Sequence, residues 1–318
     1  MGKVNFGVFL PFYAFKNETQ PNMLFNRLRD VVLESERLGY HSVWLDDHLM
    51  YGASPMLECW TTLSALASAT STIRLGTMVT SNAFRNPALL AKMTATVDVI
   101  SGGRLELGVG AGVQKEEHES YGFPFPKLSI RIERLKESVE IIKKMWVQEK
   151  ASYKGKHYCI ADAVCEPKPL QKPRPPITIG GCGEKHTLKV TAQHADRFDF
   201  GYLPAIELYK HKLQVLEKYC KLIGRKFGEI EKSCWPAGQI LLSENQREFE
   251  EQVKRFKPKN ISLEDFEKFS FVGSPDECAA KLQPYLDLGV THFMMFFGDL
   301  PETNSLRLFA ETVLKKMS

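Results

Sequence analysis

Two aspartates and a histidine, Asp46, Asp47 and His48, close the apolar run SVWLDDH, and two glycine-rich stretches follow far downstream, LELGVGAG over 105–112 and ITIGGCG over 177–183. An imidazole beside a carboxylate exchanges a proton close to neutrality, which is what general acid or base catalysis needs. Gly108, Gly110 and Gly112 remove three nearby Cβ atoms, so the backbone there can approach a planar or anionic ligand and take positive φ. The second stretch, Gly180, Gly181, Cys182 and Gly183, directly precedes a helical segment whose free N–H groups and positive dipole end would attract a phosphate. Each cluster also has a plain structural reading. Asp47 can cap a loop over a packed His48, the glycine turn can be an ordinary strand-to-helix connection, and Cys182 can be a small loop filler.

These residues are positioned by an alternation of strands and helices. Strand patterns cover 4–10, 41–46, 73–79, 104–110, 176–180, 197–201, 236–242 and 291–297. Helical patterns lie between and after them: near 22–38, closed by Gly39, near 57–69, and over a segment that Asn86 can cap with Pro87 in its first turn. A long helix follows the fourth strand and places Ile132, Leu135, Val139, Ile142 and Trp146 on one face, and four more lie near 184–195, 205–224, 274–287 and 304–316. Eight strands each followed by a helix predict a (β/α)8 TIM barrel, because parallel strands need crossovers and right-handed crossovers close the ring. The chain then reads as one barrel domain over 1–318. Two insertions depart from the repeat, a small hairpin with a proline-rich connector at about 150–174 and a loop at about 256–272. In such a barrel the chemistry sits at the C-terminal strand ends, where Asp47 and His48, Thr80 to Asn82, Gly110 to Val113 and Gly180 to Gly183 all fall.

Composition bounds the function. Of 318 residues 43% are hydrophobic and 25% charged, and 42 basic against 38 acidic residues leave a net charge of +4. No strong field for nucleic acid or a membrane surface results. The N-terminal apolar run is short, and nothing later approaches a membrane-spanning length, so a cytoplasmic protein is expected. Seven cysteines without a C-x-x-C pair argue against a disulfide framework or a zinc ribbon. Glu116, Glu117 and His118, taken with Asp47 and His48, would fit a metal-dependent barrel hydrolase, but such sites gather histidines from several strand ends. Glu-Glu-His at a loop-to-helix passage otherwise reads as a solvated face. A flavin-binding barrel without turnover is a third reading.

The order and spacing of SVWLDDH, of the block from RLGTMVTSNAFRNP to GGRLELGVGAG, of EEHESYGFPFP and of ITIGGCGEKHTLK closely resemble the luciferase-like oxidoreductase superfamily, in particular its branch that uses the deazaflavin coenzyme F420. The resemblance implies that His48 handles the proton beside the hydride-transfer carbon and that Asp47 orients the ring or its loop. It implies a cofactor held by Asp47, Met78, Val79, Thr80, Gly110, Gly112, Val113 and Gly180 to Gly183, with a non-prolyl cis peptide at Met78–Val79 behind the ring. It further implies a homodimer, a small-molecule substrate, and FMN as the alternative cofactor, with luciferase-type monooxygenation as the alternative activity. Two departures bear on substrate. The pterin-reductase branch carries a glutamate where Phe9 stands, and the sugar-phosphate dehydrogenase branch carries one where Val113 stands, so neither activity is favoured. The expected pocket mouth is apolar, lined by Phe9, Phe12, Tyr13, Phe84 and Phe296.

Overall fold

The apolar strand runs assemble into a closed ring. The computed structural model describes residues 3–15, 20–203, 205–258 and 260–317. Eight parallel strands form the ring in chain order: β1 (Asn5–Leu10), β2 (Ser42–Leu45), β3 (Arg74–Thr77), β4 (Leu105–Gly110), β5 (Ile177–Gly180), β6 (Arg197–Asp199), β7 (Glu231–Cys234) and β8 (His292–Met295). β8 closes on β1, with Asn5 opposite His292 and Val8 opposite Met295. This is the (β/α)8 barrel the alternation predicts.

Because each strand is covered on both faces, its side chains divide between two cores. Phe6, Val8 and Leu10 of β1 pack outward among the helices. Phe9, Trp44, Met78 and Met294 fill the barrel interior. The Trp44 indole takes the space that a Cβ on Gly7 or Gly76 would need. At the N-terminal strand ends a buried network joins Arg74 to Glu106, Glu106 to Arg197 at 2.9 Å, and Arg197 to Glu231 at 2.6 Å. These charges lie at the end of the barrel opposite the C-terminal ends of its strands.

Local signals specify the helices. Asn86 caps Pro87–Ile100 by accepting the Ala88 N–H at 2.9 Å. All five apolar residues of the expected stripe on Leu128–Val147 are buried. The first insertion is the expected hairpin, Ala151–Lys154 against Cys159–Ala163, held by Glu137, whose carboxylate accepts three backbone N–H groups at its turn.

Three expectations need correction. The seventh barrel strand is Glu231–Cys234, not 236–242. Its polar EKSC sequence hides a strand whose charged end answers Arg197, whereas the more strand-like Ile240–Leu242 pairs with Phe271–Gly273 in a separate two-stranded sheet. The stretch 256–272 is not a plain loop. Helix Gln246–Phe256 leads into it, helix Leu263–Phe269 lies within it, and Leu241, Val253, Phe266 and Val272 make a small core there; Lys259 lies outside the described residues. Asn245 and Ser262 cap the two helices, signals masked by the charged surface around them. Finally, a short helix, Lys115–Ser120, opens directly after the β4 loop.

Candidate active site

The C-terminal ends of β2 to β7 surround a cavity of about 480 Å³. Its wall includes Asp47, His48, Met78, Val79, Gly110, Gly112, Val113 and Gly180 to Gly183, so the ring brings together every proposed site residue except Thr80. Thr80 is fully buried and its hydroxyl donates to Thr77 Oγ1 at 3.0 Å. Strand alternation turns it away, and Ser81 lines the cavity instead.

His48 is oriented by a residue that the sequence reading assigned to solvent. Glu117 is buried on Lys115–Ser120, and its Oε2 accepts from His48 Nδ1 at 3.0 Å. Its Oε1 accepts the backbone N–H of Leu49 and, at 3.3 Å, of Met50. Glu117 thereby fixes both the imidazole and the loop that carries it. With Nδ1–H donated to a carboxylate, Nε2 is the nitrogen free to exchange a proton. His118 is also buried rather than solvated. Its Nδ1–H donates to the Gln114 carbonyl at 2.6 Å and its ring sits between Phe84 and Phe125. Glu116 alone of the triplet is exposed.

Asp47 points into structure. Its carboxylate accepts the Ser81 N–H at 3.0 Å and both terminal nitrogens of Arg85 at 2.6 and 3.0 Å. Arg85 in turn reaches Glu58, the cap of helix Cys59–Ala69. Burial pushes the Asp47 carboxyl up against the pull of Arg85. The pair ties the end of β2 to the β3 loop, a positioning geometry.

The peptide Met78–Val79 is cis. Val79 projects beneath the cavity, and a Cβ on Gly110 or Gly180 would come within 2.8 Å of its methyls. These glycines are therefore explained first by the Val79 side chain they accommodate. Gly112 has φ +79, and a Cβ there would meet His118 Nε2 at 2.8 Å. Gly181 has φ +115 and donates its N–H to the Asp199 carbonyl at 2.7 Å. Helix Thr187–His194 starts a turn later than expected, and its N-cap residue, His186, makes no side-chain capping bond.

Three further lining residues gave no sequence signal. Arg131 lies 3.8 Å over the Phe125 ring and donates to the Gly112 carbonyl, bringing a cation to the wall. Asp199 is buried and held up at about 6 by desolvation. Trp235 Nε1 is a buried donor without a protein partner. Among the described residues, no group of three or more His, Cys, Asp and Glu side chains is placed to hold a metal ion. The expected aromatic mouth also divides. Tyr13 and Phe296 line a second cavity, whereas Phe9, Phe12 and Phe84 are packed in core.

The sequence profile of the luciferase-like monooxygenase family matches residues 4–259. The chain belongs to this family. Among luciferase-like relatives, an F420-dependent glucose-6-phosphate dehydrogenase of Amycolatopsis mediterranei is 29% identical over 91% of this chain and 94% of its own. Two solved structures share the fold. An F420-dependent secondary alcohol dehydrogenase in complex with an F420-acetone adduct has a TM-score of 0.80 at 19% identity, covering 98% of both chains. The oxygenating constituent of 3,6-diketocamphane monooxygenase from Pseudomonas putida, in complex with FMN, has a TM-score of 0.80 at 17% identity, covering 99% of both. No helix of the described residues is long and apolar enough to cross a membrane.

Proposed function

We propose that this luciferase-like protein is an oxidoreductase that transfers a hydride between coenzyme F420 and a small organic substrate, with His48 as its proton donor and acceptor. The observation that carries the reading is the His48–Glu117 pair on the rim of a glycine-walled cavity that Met78 and Val79 also line. The F420-dependent relatives support the deazaflavin over FMN.

The cavity suits such a group. Trp235 Nε1 offers an unpartnered donor, Arg131 a cation, and Gly180 to Gly183 line the wall just ahead of Thr187–His194, whose positive dipole end favours a phosphate. When bound, the deazaflavin supplies two-electron hydride transfer. The chain's own part is to hold the ring and move one proton. His48 Nε2 takes the hydroxyl proton of an alcohol as its carbon gives up hydride, and returns it in the reverse direction. Glu117 keeps Nδ1 protonated and stabilises the imidazolium that forms. Asp47 and Arg85 hold the β2 and β3 loops in register. Phe9 and Val113 stand where, by the resemblance, the pterin-reductase and sugar-phosphate dehydrogenase branches carry a glutamate; Val113 is 78% exposed. A cytoplasmic homodimer accompanies this reading.

Fluorescence titration of the purified protein with F420 and with FMN tests the assignment. Tighter binding of F420 is expected. Preferential FMN binding with oxygen uptake by the reduced flavin reverses it in favour of monooxygenation.

A further inference from the structure

A second cavity of about 510 Å³ lies beside the first, at the strand ends of β1 and β8. Six aromatic side chains dominate its lining: Tyr13, Tyr202, Phe256, Phe266, Phe269 and Phe296. Its roof is the insertion that carries Gln246–Phe256 and Leu263–Phe269, which the small core around Leu241 and Phe266 holds together. A single aromatic partition separates the two cavities. Trp235, in the wall of the first, lies 6.1 Å from the Tyr202 ring and 5.0 Å from that of Phe9, and Phe9 lies 6.2 Å from Phe296. On the other side the Tyr13 ring lies 5.5 Å from that of Tyr51, in the loop that follows His48, and is tilted by 33° to it.

The polar groups of this cavity are few and mostly spent. The Tyr202 hydroxyl donates to the Phe269 carbonyl at 2.9 Å, so the residue presents its ring. Arg255, the one cation among the described lining residues, is 64% exposed, paired with Glu302 and laid over the Phe256 ring at 5.0 Å. Asp265 is exposed and accepts the Ser262 hydroxyl at 2.8 Å. Both charges therefore stand on the rim. Inside, Gln239 provides one neutral amide, which occupies the space that a Cβ on Gly298 would need. A site of this size, lined mainly by aromatic rings with three neutral polar side chains inside, Tyr13, Gln239 and Ser270, suits a neutral ring-bearing ligand and offers no interior clamp for a phosphate dianion.

We propose that the second cavity holds the ring system of the substrate, whose reacting carbon and oxygen reach past the partition to His48 in the first cavity, and that it selects an uncharged, aromatic or polycyclic alcohol or ketone over a phosphorylated sugar. The proposal rests on the hydride-transfer reading above. In the reducing direction the ketone carbon gains a hydride as the C=O π bond breaks, the oxygen gains the proton held at His48 Nε2, and the two electrons come from the reduced deazaflavin.

The test compares 2-acetonaphthone, acetone and glucose 6-phosphate with the purified enzyme. With the F420 couple, kcat/KM for 2-acetonaphthone is expected to exceed that for acetone by at least about tenfold, with no turnover of the sugar phosphate. Without cofactor, 2-acetonaphthone should quench the fluorescence of Trp235 in the partition. Phe269→Arg should raise KM for the naphthyl ketone by about tenfold or more and abolish the quenching, while F420 affinity stays within about twofold; Phe269→Leu should keep both. Should Phe269→Arg fail to fold, discrimination by the parent enzyme still decides. Equal use of the two ketones, preference for glucose 6-phosphate, or F420 binding without naphthyl quenching overturns the compartment. Quenching in a protein without F420 affinity upholds the compartment and overturns the cofactor reading instead.

Discussion

Glu117 Oε2 lies 3.0 Å from His48 Nδ1 across a separation of 69 residues, joining the loop after β2 to the short helix after β4. Because the same carboxylate also accepts the Leu49 and Met50 N–H groups, one buried side chain sets the tautomer of the imidazole and the path of its loop.

This division of labour makes the two residues separable by mutation. His48→Ala is expected to lower turnover by about 10² to 10⁴ while F420 affinity stays within a few-fold. Glu117→Gln keeps an oxygen for the backbone donors but no longer enforces Nδ1–H, so turnover falls with the fold intact. Glu117→Ala also leaves buried N–H groups unpaired and costs about 1–3 kcal/mol of stability. Single-turnover kinetics beside thermal melts distinguish the three; full turnover in His48→Ala would show the imidazole to be structural.

Asp47 should behave differently, because its carboxylate is committed to Arg85 and the Ser81 N–H. Removing it leaves Arg85, whose side chain is 9% exposed, with Glu58 as its remaining carboxylate partner. Asp47→Ala is expected to lose about 3–5 kcal/mol of stability and to weaken cofactor binding, measured by denaturant unfolding and fluorescence titration. A stable variant with normal affinity and slow chemistry would instead place Asp47 in the proton path.

Gly180→Ala tests the packing around Val79. The new methyl meets both Val79 Cγ atoms at 2.8 Å, so Val79 must move toward the cavity. Overpacking of this kind costs about 1–3 kcal/mol, and F420 affinity should fall with it. Combination with Val79→Ala, which removes the clash, should recover stability; absence of any recovery would place the cost elsewhere.

Asp199 predicts a pH dependence. Burial raises its carboxyl from 3.8 to about 6, and its Oδ1 accepts the Gly201 N–H. As pH rises the unfolded chain ionises first. The destabilisation is therefore absent below about pH 4, grows between about 4 and 6 and is complete above. Asp199→Asn keeps the acceptor and removes the charge, so its melting temperature should exceed that of the parent at about pH 7.5 and the gap should close toward about pH 4. A gap independent of pH would mean that Asp199 titrates normally.

By itself the sequence determined the barrel, most of the helix starts between its strands and the strand ends that carry Asp47, His48 and the glycines. The Asn86–Pro87 cap, the stripe from Ile132 to Trp146 and the positions of Asp47, His48 and the glycines were legible because capping and periodicity are local properties, written within a few turns of chain. Motif likeness also placed the Met78–Val79 cis peptide. Tertiary structure decided the rest. Polar Glu231–Cys234 becomes a barrel strand because Arg197 and β8 lie on either side of it, and apolar Ile240–Leu242 leaves the ring because Phe271–Gly273 is available to it. Glu117 turns from solvent to His48, Thr80 turns away from the cavity, and Arg131, Asp199 and Trp235 arrive at its wall from separate elements. The hydrophobic period records which face of an element is buried. Which residues from other strand ends meet that face is set only when the ring closes, by packing and by the need of each buried charge or N–H for a partner.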